Sequence, residues 1–129
     1  MVDVICDTSF LIHLATKKIK NINSFETEIG QIQFVVPEVV KIELEKLSKN
    51  ENKKHEVTLT LNLINKLQTI SISGNYVDES LISYVKDHGG IIATMDIELK
   101  NKIKSLGGSI ITLYNDRIIL DSQKNLTYR

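Results

Sequence analysis

Val2-Asp3-Val4-Ile5-Cys6-Asp7-Thr8-Ser9-Phe10-Leu11-Ile12 decides the fold. Apolar residues crowd its first half without regular alternation, the pattern of a strand covered on both faces. The strand stops at Asp7. Thr8 and Ser9 follow, and either hydroxyl can satisfy the free N–H groups that open a helix. Phe10, Leu11 and Leu14 then give that helix a buried face.

The same sequence of events returns at Ile91-Ile92-Ala93-Thr94-Met95-Asp96. A strictly apolar strand, expected to be central, is closed by an acid, and a helix from about Asp96 to Leu106 follows. Between the two stretches strand and helix alternate. Ile19, Ile22, Phe25 and Ile29 recur at helical spacing, with Asn23 or Ser24 as a start and Gly30 as a stop. Gln33 to Val36 reads as a strand. Pro37, the only proline, pre-sets a first helical turn, and the helix from Glu38 to about Lys49 carries Val40, Leu44 and Leu47 on one stripe. Residues 50–54 read as a turn, and a second helix runs from about His55 to Leu67. Thr69 to Ser73 is an alternating strand suited to a sheet edge. Asn75 and Asp78 resemble a capping box before a helix that ends near His88, with Leu81, Ile82 and Val85 inward. Gly89-Gly90 and Gly107-Gly108 are helix stops. Ser109 to Leu113 is a strand, Asn115-Asp116 a turn, and Arg117 to Leu120 a short return strand. The tail from Asp121 is polar. This alternation with short connections predicts one α/β domain over residues 1–129, a three-layer sandwich with a mostly parallel central sheet.

Composition narrows the function. The 129 residues are 42% apolar and 25% charged, as in an ordinary globular domain. Lys plus Arg equals Asp plus Glu at 16 each, so no bulk cationic coat for nucleic acid exists, although a local basic patch is compatible with it. No apolar run approaches the roughly 18 residues of a membrane span. The first residues lack the basic start and small-residue cleavage site of a signal peptide. Cys6 is the only cysteine, which rules out an internal disulfide and a thiolate metal site within one chain. A cytoplasmic protein is the expectation, with Cys6 as a small buried apolar residue.

The acids carry the chemistry. Asp7 and Asp96 both end expected strands, and in a parallel sheet those ends open on one edge, where ligands bind. Glu43 falls with Val40, Leu44 and Leu47 on an apolar helix stripe, and Asp78 does so with Leu81, Ile82 and Val85. Charges on such stripes are expensive, and a cation is the simplest cure. Oxygen ligands without His or Cys suit Mg²⁺ or Mn²⁺. Each acid also has a plainer use. Asp7 and Asp96 can be helix caps, Asp78 can answer a helix dipole, and Glu43 can snorkel or pair with a lysine. Ser9 is suited to orient Asp7 or a metal-bound water, and Thr94 to do the same for Asp96. Glu98 stands near the rim, as an outer ligand or a solvated helix residue. Lys100 and Lys104 share a helix face that can meet phosphates or simply be solvated. The histidines lack metal-ligand spacing, no Gly-rich phosphate loop is present, and Ser9 lacks a partner histidine for a hydrolase triad.

Taken in order, these residues resemble the PIN-domain nucleases. Asp7-Thr8-Ser9 after the first strand is similar to the family's opening motif. The stretch from Val36 to Leu47 is similar to its second motif, in which the Glu before a Leu is the ligand; here that is Glu43. Asp78-Glu79-Ser80-Leu81-Ile82 resembles the third motif, and residues 92–99, with Asp96, the fourth. The nearest likeness is to archaeal or eukaryotic-type members related to ribosomal RNA processing factors. Met95 departs from the Asn common there, and Asp78 is followed by Glu79 rather than a second Asp. The resemblance implies a Mg²⁺- or Mn²⁺-dependent endoribonuclease acting on single-stranded or structured RNA, with Asp7, Glu43, Asp78 and Asp96 holding one or two ions. It further implies a homodimer in many members and, for toxin-type members, an antitoxin protein as partner. Two other readings suit the same residues: a PIN-fold RNA-binding or assembly subunit with little turnover, and a metal-dependent phosphatase.

Overall fold

The computed structural model describes residues 2–20 and 30–121. In chain order these form β1 (Val2–Cys6), α1 (Thr8–Thr16), β2 (Ile32–Pro37), α2 (Glu38–Leu47), a 3₁₀ turn (Glu51–Lys53), α3 (Lys54–Ile64) and β3 (Gln68–Ile70). They continue with α4 (Val77–His88), β4 (Ile91–Ala93), α5 (Ile97–Ser105), β5 (Ser109–Tyr114) and β6 (Arg117–Asp121). The expected helix through Ile22, Phe25 and Ile29 and the polar tail lie outside the described residues.

All six strands join one sheet in the order β3-β2-β1-β4-β5-β6. The first five are parallel and β6 returns antiparallel to β5. The chain builds outward from β1 to β2 and β3, then crosses back to β4 on the other side of β1. Right-handed crossovers in opposite directions place helices on opposite faces. Accordingly α1, α2 and α3 pack together, and α4 packs with α5. Both faces are covered, which is why Val4, Ile5 and Cys6 are buried in succession. Phe10, Leu11, Leu44, Leu81, Ile92, Leu99, Ile103, Ile110 and Ile111 are fully buried around the sheet. No helix of the described residues is long and apolar enough to cross a membrane.

The order of strands fixes the functional edge. Between β1 and β4 the winding reverses, and the crevice at such a switch point is where open α/β sheets bind ligands. Cys6 pairs with Ala93, so Asp7 and Thr94 come level at the carboxyl end of that crevice. The amide of Asp7 donates to the Ala93 carbonyl at 2.9 Å and extends the pairing by one bond. Because α1, α2, α4 and α5 each follow a parallel strand, their N-termini gather at this edge. Their free N–H groups favour negative charge there.

Several local expectations change. Residues 71–73 leave the sheet because the chain turns at once: the Ile72 amide bonds the Ile70 carbonyl, and the Ile72 carbonyl receives the Val39 amide. β3 is therefore a short edge strand. The Asn75–Asp78 capping box does not form. Tyr76 is the N-cap of α4 and no side chain caps that end, so Asn75 lies one residue too early. Helix α3 stops at Ile64, and the 50–54 turn is a 3₁₀ turn whose cap is the Asn50 side chain, accepting from the Asn52 amide. Asn115 and Asp116 both take positive φ, 52° and 59°, the backbone of a tight two-residue hairpin between β5 and β6. The hairpin tip is tied to the end of α1, with Lys20 donating its amide to the Asp116 carbonyl and His13 Nε2 at 3.3 Å from Asp116 Oδ1. Gly107 takes φ +86° after α5, a conformation that a Cβ would strain.

Candidate active site

Asp7 is the N-cap of α1 and is only 3% exposed. Its Oδ1 accepts from the Phe10 amide at 2.8 Å and from Ser9 Oγ at 2.9 Å. Its Oδ2 accepts from Thr94 Oγ1 across the β1–β4 crevice. Burial pushes its pKa up to about 6; the bonds from Thr94, Phe10 and Ser9 oppose that rise, and the charge of Asp78 adds to it. A capping aspartate thus doubles as a buried acid under tension from its neighbours.

Two hydroxyls organise the crevice. Thr94 Oγ1 accepts from the Asp96 amide at 3.0 Å while donating to Asp7, so it joins the two strand-end acids. Ser9 Oγ accepts from the Met95 amide at 3.1 Å while donating to Asp7. The expected orienting role of Ser9 on Asp7 is the contact seen. Thr94 bonds the Asp7 carboxylate and the Asp96 backbone rather than the Asp96 carboxylate. Met95 packs against the core.

Asp96 caps α5, with Oδ1 accepting from the amides of Glu98 at 2.9 Å and Leu99 at 3.3 Å. Its Oδ2 has no hydrogen-bond partner among the described residues and remains free to take a ligand. Glu43 is half-buried, and Thr8 Oγ1 donates to its Oε1. Thr8 was not anticipated as a site residue. The hydroxyl beside Asp7 was its only signal in the sequence, and its partner is far along the chain.

Asp78 opens α4 one residue off the stripe expected for it. Val77, Leu81 and Val85 are the buried positions, and Asp78 is exposed beside them. Partial burial and then the charges of Asp96, Glu43 and Glu98 raise its pKa. Those charges put the carboxylates in one another's field, and the shape agrees. One open cavity of about 480 Å³ is lined by Asp7, Glu43, Asp78, Glu79 and Asp96, with Thr8, Ser9, Tyr76 and Val77.

The four acids singled out from the sequence therefore share one cavity, and Glu79 joins them. Glu98 does not line it; with Asn101, Lys102 and Ser105 it borders a different hollow and reaches Asp78 only through its charge. Lys100 and Lys104 are not presented to the cavity as free cations. Their Nζ atoms pair with Asp121 of β6 at 3.1 and 3.0 Å and clamp α5 to the sheet edge. Burial alone would raise Asp121, but the two lysines outweigh it and hold its carboxyl below the usual range.

All the charged and hydroxyl groups on the wall are oxygen donors, the chemistry of a site for hard divalent cations. As they stand, no three acidic, imidazole or thiol side chains of the described residues are gathered tightly enough to share an ion. Two of the wall's acids already have a hydroxyl partner, Thr8 donating to Glu43 and Thr94 to Asp7.

Comparison with known proteins gives the same architecture. A family profile described as a PIN like domain matches residues 4–116. Ribonuclease VapC4 of Methanocaldococcus jannaschii is 32% identical over 109 residues, covering 80% of this chain and 83% of that protein. Among solved structures, the PIN domain endonuclease Utp24 superposes with a TM-score of 0.71 at 24% identity, over 93% of this chain and 94% of that one. This last likeness bears on the fold.

Proposed function

This chain belongs to the PIN-like domain family, and on that premise we propose that it is a divalent-cation-dependent endoribonuclease. It hydrolyses phosphodiester bonds in single-stranded or structured RNA. The observation that carries the proposal is the cavity lined by five carboxylates at the β1–β4 switch point. Burial first and the charges of Asp96, Glu43 and Glu98 second raise Asp78, and burial above all, with a smaller push from Asp78, raises Asp7; a bound cation would relieve both.

Asp7 and Asp96 are the residues to hold Mg²⁺ or Mn²⁺ directly, with Asp78 joining them and Glu43 acting through a water. One or two such ions supply Lewis acidity to the scissile phosphate and acidity to the attacking water. The chain's own groups do the rest. The Phe10 amide and the Ser9 and Thr94 hydroxyls fix the Asp7 carboxylate in one orientation. Thr8 positions Glu43, whose half-buried carboxylate is placed to hold a water and take its proton. The cap bonds on Asp96 Oδ1 leave Oδ2 for the ligand.

The reading includes a cytoplasmic place of action, a second copy of the chain as partner and, for a toxin-type nuclease, an antitoxin protein. It is tested by incubating the protein with a mixed pool of single-stranded and hairpin RNA and Mn²⁺. Cleavage by the wild type and its loss in Asp7→Asn are expected. No cleavage, or equal cleavage by both, overturns the proposal.

A further inference from the structure

The acid cavity continues beyond the carboxylates. A second hollow of about 140 Å³ opens beside it and shares Glu43 and Val77 with it. One wall is α2, through Val39, Ile42 and Lys46; the other is the loop Gly74-Asn75 leading into α4. The two hollows form one cleft with unlike ends. At the acid end stands Tyr76, 68% exposed. At the far end stands Lys46, the single basic side chain among the described residues that lines either hollow. Lys46 has no ion-pair partner among the described residues.

Tyr76 is built into this position. Its carbonyl accepts from both the amide and the hydroxyl of Ser80, which pins the residue at the head of α4. The loop before it is pressed onto the same helix: a Cβ on Gly74 would clash with Ser80 Oγ. The ring makes no aromatic contact with another described residue. Ile42, another exposed apolar side chain, lines the adjoining hollow. A flat ring and an aliphatic side chain offered to solvent beside five carboxylates do not suit a small anion. They suit a ligand that carries both apolar faces and phosphates, and an unpaired nucleotide is such a ligand.

Charge sets the direction. Among the carboxylates a phosphate can rest only where a cation screens it. Lys46 lies one turn beyond Glu43 on α2, about 4.5 Å further along the axis. Among the described residues it is the first position along the cleft that offers positive charge.

We propose that this cleft carries one RNA strand away from the cut, with Tyr76 stacked on the unpaired base beside the scissile phosphate and Lys46 on the next backbone phosphate. The proposal rests on the nuclease reading for the identity of the polymer. It implies a preference for unpaired RNA that one side chain imposes, because a base held in a duplex cannot offer its face to Tyr76.

The test uses Asp96→Asn protein with Mn²⁺, so that RNA is bound without turnover; Asn retains the cap of α5. The probes are oligo(A) RNA and a base-free ribose-phosphate strand of the same length. Adding Tyr76→Ala is expected to weaken oligo(A) binding roughly tenfold and to leave the base-free strand unaffected. Tyr76→Phe retains the affinity for oligo(A). Tyr76→Trp places the only tryptophan in the chain at the site, and its fluorescence is quenched by oligo(A) and not by the base-free strand. Lys46→Ala weakens both strands alike and lowers the salt slope by about 0.7. Equal affinity of Tyr76→Ala and its parent for oligo(A), or an equal loss on both strands, overturns the stacking. Quenching by oligo(A) from a protein whose wild type never cuts RNA would defeat the nuclease reading and leave the stacking in place.

Discussion

Replacing Asp7 by Asn should make the metal-free protein more stable while abolishing its activity. Asp7 is buried, and its pKa rises from 3.8 to about 6 on folding. At about 1.4 kcal/mol per pH unit, the charged form is destabilised by about 3 kcal/mol in the folded state. The sign follows from linkage. Below 3.8 the carboxyl is neutral in both states and adds no penalty. Between 3.8 and about 6 the folded state holds a proton that the unfolded state releases, so stability falls as pH rises through that window. Above it the penalty is complete. Asn has no charge to bury. It keeps an acceptor for the Phe10 amide and Ser9, but it turns an NH₂ group toward Thr94, whose hydroxyl proton then loses its acceptor. That mismatch costs about 1 kcal/mol. The expected net gain is about 2 kcal/mol near neutral pH, read by urea unfolding in the presence of a chelator. In excess Mn²⁺ the order should close or reverse, since ligand at about a hundred times its Kd stabilises the wild type by about 2.7 kcal/mol. A variant less stable than wild type in chelator, with the wild type's pH dependence, would refute the reasoning.

Other substitutions probe the parts separately. Thr8→Val removes the hydroxyl on Glu43 at nearly constant volume, and cleavage should slow by roughly ten- to a hundredfold, with Thr8→Ser restoring it. Asp121→Asn releases Lys100 and Lys104; unfolding should come earlier by about 1 kcal/mol while RNA cleavage keeps its rate, which separates a structural clamp from a phosphate contact. Leu44→Ala opens a hole in the core beneath α2, and calorimetry should register a loss of about 2–5 kcal/mol.

The strand-end acids were legible because two physical signals coincide at them. Each follows an apolar run long enough to be a buried strand, and each precedes helical spacing, so Asp7 and Asp96 were located together with the sheet edge. Glu43 was legible as a charge beside Val40 and Leu44. Asp78 was found by a stripe that proved to be displaced: Val77 heads it, and a one-residue offset moves the acid from the core to the cavity wall. What stayed hidden depends on which side chain reaches which, and spacing does not report that. Thr8 finds Glu43 only once α2 is folded over β1. Lys100 and Lys104 share a face that looks free until Asp121 of the return strand arrives opposite it. The capping box at Asn75 failed because helix propensity does not decide a boundary to one residue.

The central claim is that these carboxylates hold a cation that cuts RNA, and its most direct test is the single-turnover cleavage rate as Mn²⁺ is titrated into wild type and Asp96→Asn. No cleavage is expected in chelator, with a rate that rises and saturates with Mn²⁺ in the wild type and a loss of roughly a hundredfold or more in the variant. Cleavage that persists in chelator, or a variant as fast as wild type at every Mn²⁺ concentration, would contradict it.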